Sequence, residues 1–468
     1  MLQSNEINTK KQLYEMRNYQ DKTLKISQEN RLKKVYIDSM QYCEEARLDT
    51  QRLISLFKVS SQQNCFVYTK NLRHADFLIY NACGHLQSKQ DESIRDIKEL
   101  LKLKKSSGRL IVWGCLPKIN PNSLREVYDG PMIGPEESGD FFYRHFDLIE
   151  KRESKIHANT LNSLYIPKTR TNRQLTQREK LTNIYNYFHF QRDRIINFGK
   201  IETRKNTWYI KILSGCRNNC TYCSDLLAYK SVKSQPIENI IEQFELGLKK
   251  GYRNFFFVGR DSGSYGYDLG IGLPDLLNVL IMKYRKIDFK IFLTNISPNS
   301  LINIYPKLER LLESKKIAYL GSHIQSGSKR ILKLMGKNFS LVKWIEIIRH
   351  IEKNHPDIFL ETSIMVGFPS ETEQDFERSA NLLNHLHFDR IVLYRYNERP
   401  NIPSLRIKNP ISEKIKNIRY YRMLNHITMC KAKKHMKCGK FFKFTNLHSL
   451  FDLALVNLRR LVRGYFNW

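Results

Sequence analysis

Apolar residues along the chain fall into two alternating series. KVYIDSM (34–40), DFLIYNAC (76–83) and GRLIVWGC (108–115) are short runs rich in β-branched and aromatic residues, the signature of strands. Between them, ARLDTQRLISLF (46–57) and DESIRDIKELLKLKK (91–105) place apolar residues three and four apart, as a helix with one buried face requires. The order β-α-β-α-β predicts a parallel, doubly wound sheet, because parallel neighbours need a crossover between them.

The second series begins at residue 207. Strands are predicted at WYIKIL (208–213), NFFFVG (254–259), FKIFLT (289–294), IAYLGSHI (317–324), IFLETSIMVG (358–367) and RIVLYRY (390–396). Helical spacing separates them at 236–251, 273–284, 300–314, 328–335, 341–354 and 371–386. Pro236 suits a first helical turn and Gly251 a helix end, while Pro306 predicts a kink. Six βα units are too few for an eight-fold barrel, so a partial barrel is expected. The fold class is therefore α/β, with a doubly wound sheet domain followed by a partial (βα)6 barrel.

Three segments lie outside these series. Residues 1–33 read as a polar extension, 151–206 as a basic linker, and 405–468 as a basic tail with one helix near 412–435. That leaves a first domain at 34–150 and the barrel at 207–404, an organisation that suits 468 residues. No run of about 18 apolar residues occurs, and the amino terminus has no apolar core, so neither a membrane span nor a secretory signal is expected. A cytoplasmic location and no membrane partner follow as expectations. The net charge of +32 favours a polyanionic partner such as RNA. An AT-rich genome, which enriches Lys, Asn and Ile, is the competing explanation. Nine cysteines in such a chain point to metal binding or chemistry rather than to disulfides.

The densest chemistry is SGCRNNCTYC (214–223), where Cys216, Cys220 and Cys223 fall in C-x3-C-x2-C spacing just after the first barrel strand. Structural zinc needs four closed ligands, and no fourth Cys or His lies nearby in sequence. A [4Fe–4S] cluster can take three thiolates and leave one iron open. The carboxyl ends of the strands are the functional face of βα barrels. Here the chain resembles the radical S-adenosylmethionine (SAM) enzymes, whose hallmark is this spacing, with an aromatic residue such as Tyr222 before the last cysteine. The resemblance implies that SAM chelates the open iron and that an electron cleaves it to a 5′-deoxyadenosyl radical. It assigns Cys216, Cys220 and Cys223 as the catalytic cluster ligands.

A second constellation comes from periodicity. Cys43, Cys83 and Cys115 each lie at or a few residues beyond the end of a predicted strand. Carboxyl ends of parallel strands share one sheet edge, so three cysteines distant in sequence converge. They predict a second metal site with an open position; ordinary core packing is the alternative.

With this order of domains the chain is similar to the methylthiotransferases. The matching segments include CEEARLDT (43–50), ADFLIYNAC (75–83), IVWGC (111–115), FFFVGRDSGSYG (255–266), HIQSGSKRILKLMGK (323–337), SIMVGFPSETEQDF (363–376) and FDRIVLYRYNERPNIPS (388–404). The resemblance implies two [4Fe–4S] clusters, one on each cysteine trio. One SAM would methylate a sulfur associated with the auxiliary cluster. A second would supply the radical that opens an unactivated C–H bond for methylthio insertion. Expected partners are tRNA, with an adenosine beside the anticodon as substrate, or a ribosomal protein or peptide, together with an electron donor such as flavodoxin or ferredoxin. A degenerate Fe–S or zinc protein that binds RNA without turnover is the remaining alternative.

By position, Gly259, Arg260, Gln325, Ser326 and Gly367 are candidate residues of the SAM pocket, with turn chemistry and capping as the competing role. Several positions depart from the family pattern: Tyr42 and Ala46 flank the first cysteine, Tyr229 and Lys230 stand where an Arg-Gly pair is usual, and Arg260 stands where Gln is typical. The small β-barrel that commonly closes these proteins, the TRAM domain, is expected to be missing or replaced, because only 29 residues follow Gly439. Cys65 is expected to be structural or free; Cys430 and Cys438 lie in the basic tail, where a further metal site is the less favoured reading.

Overall fold

The computed structural model describes residues 32–40, 43–60, 65–146, 148 and 206–437. The expected extension and basic linker fall almost wholly outside these residues, as do Tyr42, Cys438 and the end of the tail.

The first domain is a five-stranded parallel sheet. Its elements are β1 (Lys33–Ser39), α1 (Glu44–Ser60), β2 (Phe66–Tyr68), β3 (Phe77–Ala82), α2 (Gln87–Leu103), β4 (Arg109–Gly114) and β5 (Met132–Ile133), and the strand order is β2-β1-β3-β4-β5. The three predicted strands form its centre. Strands β2 and β5 add to the edges; runs of two or three residues carry no readable period. Side chains alternate between faces. Val35, Ile37, Phe77 and Ile79 pack with Phe57 and Phe146, while Tyr36, Leu78 and Tyr80 pack with Ile97 and Leu100 of α2. Both faces are covered, which explains why every residue of β3 is buried.

The barrel domain contains β6 (Thr207–Lys211), α3 (Ile237–Lys249), β7 (Asn254–Val258), α4 (Leu273–Lys283), β8 (Lys290–Ile296), α5 (Pro298–Leu312), β9 (Ile317–Ser322), α6 (Lys329–Leu334), α7 (Leu341–Asn354), β10 (Phe359–Val366), α8 (Glu373–His385) and β11 (Arg390–Arg395). Its six strands run in sequence order from β6 to β11, each parallel to the next. The six-unit expectation is met. Helix α5 begins two residues before its apolar period, because the Ser297 hydroxyl caps Ser300 N–H and Pro298 takes the first turn; the helix continues through Pro306.

One face of this sheet packs on the helices through Trp208, Ile210, Phe255, Phe257, Ile291 and Leu293. The opposite face carries rings from Tyr209, Phe256, Phe292, Tyr319 and Phe359. Leu48 of α1 packs against Tyr209 and Val258 there, so the first domain covers part of the barrel interior. The tail helix, α9 (Glu413–Lys437), packs beside β11 and α8. No helix among the described residues is long and apolar enough to cross a membrane.

Candidate metal centres

Strand register brings the first cysteine trio together. In the pairing of β3 with β4, Ala82 stands opposite Gly114, so Cys83 and Cys115 leave adjacent strand ends side by side. Cys43 opens α1 just past the end of the neighbouring β1. Each of the three thiols feels another: Cys115 acts on Cys43, Cys43 on Cys83, and Cys83 on Cys115. Burial pushes the Cys43 and Cys115 thiols up to about 12 and Cys83 to about 11.

The barrel trio comes from one loop. Cys223 N–H donates to the Cys220 carbonyl at 3.0 Å, and Thr221 is pinned to the end of α6 through the carbonyls of Met335 (3.0 Å) and Leu334 (2.8 Å). The Cys216 sulfur accepts from the backbone N–H of Asn218 at 3.4 Å and from its side-chain amide at 3.2 Å. That amide is oriented by Asp261, 2.8 Å away, itself buried among Ser264, Ser297 and Ser300. Burial, with Asp261 adding negative charge, pushes Cys216 up to about 11.

A glycine with positive φ precedes a cysteine in each trio. At Gly114 (φ +103°) an added Cβ would lie 2.3 Å from Asn81 Oδ1; at Gly215 (φ +79°) it would lie 1.9 Å from the Ser231 carbonyl oxygen. Only glycine fits either turn.

These donor sets fit iron–sulfur clusters. Each offers three half-buried thiols with no disulfide among them, and N–H groups point at the sulfurs of Cys43 and Cys216, as thiolate ligands need. Among the described residues no group of three or more His, Cys, Asp or Glu is gathered as a single-ion site.

The loops that carry the two trios are joined directly. Ser224, after Cys223, donates to the His85 carbonyl at 3.3 Å, and the His85 ring lies 3.2 Å from the Asp225 carboxylate. Arg260 pairs with Asp225 and with Glu45 (3.2 Å), stacks on Tyr229 at 3.9 Å and lies 3.7 Å from the Cys115 sulfur. Lys211 continues the seam, at 3.1 Å from Glu45 and 2.8 Å from Asp49. Burial alone would raise the Asp225 carboxyl, but Arg260 and His85 hold it well below the usual carboxylate range. Under the seam lies a cavity of about 350 Å³ that touches Cys43, Cys83, Cys115 and Cys223.

The structure distributes the other candidate residues unevenly. Gly259, Arg260 and Gln325 line the cavity. Arg260 lies at the first cysteine trio as well as beside the barrel loop. Gln325 combines two marks of a functional position: a left-handed backbone (φ 75°) and a buried side-chain oxygen with no hydrogen-bond partner. Ser326 and Gly367 are not in the cavity lining. Ser326 is buried against Ser328 and Ser379. Gly367 donates to Glu371, and its Cα faces Lys416 of α9 so closely that a Cβ would lie 2.5 Å from that side chain. Cys65 and Cys430 stand apart from both trios, and Cys65 is exposed.

Sequence reasoning passed over Glu45, Asp225 and Arg399, and read His85 as a surface or packing residue. A signal was present for the first two: each is acidic, stands two residues after a cysteine, and sits at or near the start of a helix, where negative charge is favoured. Arg399 lay within the matching segment 388–404, where nothing singled it out from its neighbours.

The sequence matches the Radical SAM superfamily over residues 210–383 and an uncharacterized protein family, UPF0004, over residues 34–132. It is 27% identical over 368 residues to a probable threonylcarbamoyladenosine tRNA methylthiotransferase of Pyrococcus abyssi, covering 78% of this chain and 77% of that protein. It is 31% identical over 355 residues to the ribosomal protein uS12 methylthiotransferase RimO of Clostridioides difficile, covering 74% and 72%. Among solved structures, the radical SAM methyltransferase TsrM of Kitasatospora setae shares the fold at 10% identity, with a TM-score of 0.52 over 80% of this chain and 75% of that one.

Proposed function

The chain belongs to the radical SAM methylthiotransferase family, and from that membership we propose that it inserts a methylthio group at an unactivated C–H of a tRNA adenosine beside the anticodon. The observation that carries this reading is the direct junction of the two cysteine loops, Cys83-Gly84-His85 against Cys223-Ser224-Asp225, above one cavity. A reaction that brings sulfur from one centre to a carbon activated at another needs both within one enclosed space.

In this reading Cys216, Cys220 and Cys223 hold the radical cluster, and Cys43, Cys83 and Cys115 the auxiliary one. When bound, the clusters and SAM supply the one-electron chemistry and an iron that can carry sulfur, which no side chain provides. The chain's own residues enclose and orient. Gly259 and Gln325 offer backbone approach and an unpaired acceptor to SAM or substrate. Arg260, Glu45 and Asp225 fix the separation of the two loops. His323, on the cavity wall, is kept neutral, since burial lowers its pKa to about 4. A cytoplasmic setting and a flavodoxin- or ferredoxin-type electron donor complete the proposal.

The tRNA substrate is supported by the +32 charge and by the relatives named for threonylcarbamoyladenosine in tRNA. The second reading is a ribosomal protein substrate, favoured by the 31% identity to RimO. Anaerobically reconstituted protein, reductant and SAM should yield a methylthio-nucleoside by mass spectrometry of digested tRNA. A methylthio adduct on a ribosomal peptide and none on tRNA would select the second reading. Absence of 5′-deoxyadenosine with either substrate would reject both. Binding to tRNA should weaken steeply between about 50 and about 200 mM salt; a flat response would exclude phosphate contacts as its basis.

A further inference from the structure

Arg399 is among the most buried large side chains of the protein, at 2% exposure. It lies just beyond β11, yet its guanidinium reaches into the first domain. There it donates to the Gly84 carbonyl at 2.8 Å, to Gln87 Oε1 at 2.5 Å and to Gln90 Oε1 at 2.5 Å. All three acceptors are neutral. Its Nε is buried with no hydrogen-bond partner, and among the described residues no carboxylate lies within ion-pairing distance of it; the Asp91 carboxylate, which accepts from Gln87 at 2.7 Å, and the Cys83 sulfur act on it from further away. Arg260, by contrast, has two carboxylates, Glu45 and Asp225.

The surroundings deepen the imbalance. Gln87 and Gln90 form the first turn of α2, whose amino terminus carries the positive end of a 17-residue helix and holds no acidic residue. A buried guanidinium without an ion-pair partner at that end is unfavourable unless an anion is near. Gly84 follows Cys83, and Arg399 also lines the cavity that Cys83 faces. Three thiolates outweigh the positive charge of the iron–sulfide core they bind, and one-electron reduction increases the excess. Asp91 faces Arg399 only from beyond Gln87, and a cluster on Cys83 would bring the further negative charge that its direct partners lack.

We propose that Arg399, with the amino terminus of α2, is the built-in counter-ion of the cluster held by Cys43, Cys83 and Cys115. It is a positioning residue that favours loading of that cluster and raises its reduction potential. The inference rests on the two-cluster reading above. A cation beside a cluster stabilises the more negative, reduced form, so its removal makes reduction harder.

The test is a reductive titration, followed by electron paramagnetic resonance, of the full-length reconstituted protein, its R399Q and its R399K variants. Added SAM identifies the barrel cluster by perturbing its signal. R399Q keeps a donor without charge, and its N-terminal cluster should titrate at a more negative potential than in the wild type. The barrel cluster should stay in place, and R399K should stay close to the wild type. Failure of R399Q to load that cluster while R399K loads it supports the same charge role. Unchanged potentials in R399Q, equal shifts in both variants, or failure of both to load would overturn it. Wild-type protein that takes up a single cluster would instead sink the two-cluster reading, an outcome visible before any variant is made.

Discussion

The two cysteine trios solve one problem by opposite means. The barrel trio is local: eight residues of one loop carry all three sulfurs, and Met335, Leu334 and Asn218 hold that loop by hydrogen bonds. The N-terminal trio is assembled from three places spread over 73 positions, and it exists only because β1, β3 and β4 are adjacent and in register. Their electrostatics differ too. Arg260 and Asp225 act on sulfurs of both trios, and Glu45 on Cys43 and Cys115; what differs is Asp261, which acts on Cys216, and Arg399, which faces Cys83. Surrounding charge tunes cluster potentials.

The sharpest way to break this comparison is to remove one ligand from each side. Cys220→Ala should abolish 5′-deoxyadenosine formation, because the barrel loop loses a third of its donors. Cys83→Ala should leave SAM cleavage in place and eliminate the methylthio product. Product from the second variant, quantified by mass spectrometry, would overturn the assignment of the N-terminal trio.

Next in size is the junction between the trios. Asp225→Asn leaves Arg260 buried with one carboxylate partner instead of two and weakens the contact with His85. Removal of one partner of a buried pair costs about 3–5 kcal/mol. Urea unfolding of the variant should show a loss of that order. A midpoint equal to that of the wild type would mean that the seam does not bind the domains together.

A smaller effect concerns the cavity wall on the barrel side. Burial, with Lys337 and Arg390 adding positive charge, holds the His323 imidazole down to about 4 from 6.5; Glu361 lies 3.9 Å away and Asn295 accepts from its ring at 3.2 Å. The unfolded chain therefore binds a proton first as pH falls. The stability contributed by this group is complete above about pH 6.5 and is lost between about 6.5 and about 4. The full loss is roughly 3 kcal/mol. Chemical denaturation at about pH 7.5 and about pH 5 should show the decline in the wild type and a shallower one in H323Q; parallel curves would exclude His323 as its source.

What the sequence determined by itself is the local part. C-x3-C-x2-C spacing gathers its three sulfurs without a fold, because neighbours along the chain are neighbours in space. Periods of two and of 3.6 residues yielded the three central strands of the first domain, all six barrel strands and the helices between them, since each period records which side of an element is buried. Convergence of Cys43, Cys83 and Cys115 was legible one step further on, through the rule that parallel strands share an edge. What only the tertiary structure decided is everything that depends on two distant segments meeting. Arg260 was read as a pocket residue of the barrel, yet it also reaches Glu45 and Cys115. Arg399 lay within the matching segment 388–404 with nothing to single it out, and its proposed role rests on contacts with residues more than 300 positions away. Gly367 and Ser326 follow strand ends just as Gly259 and Gln325 do, but their surroundings turn them towards α9 and α8. Charge pairing and burial are properties of three-dimensional proximity, and a linear pattern does not encode which side chain will stand alone inside a closed core.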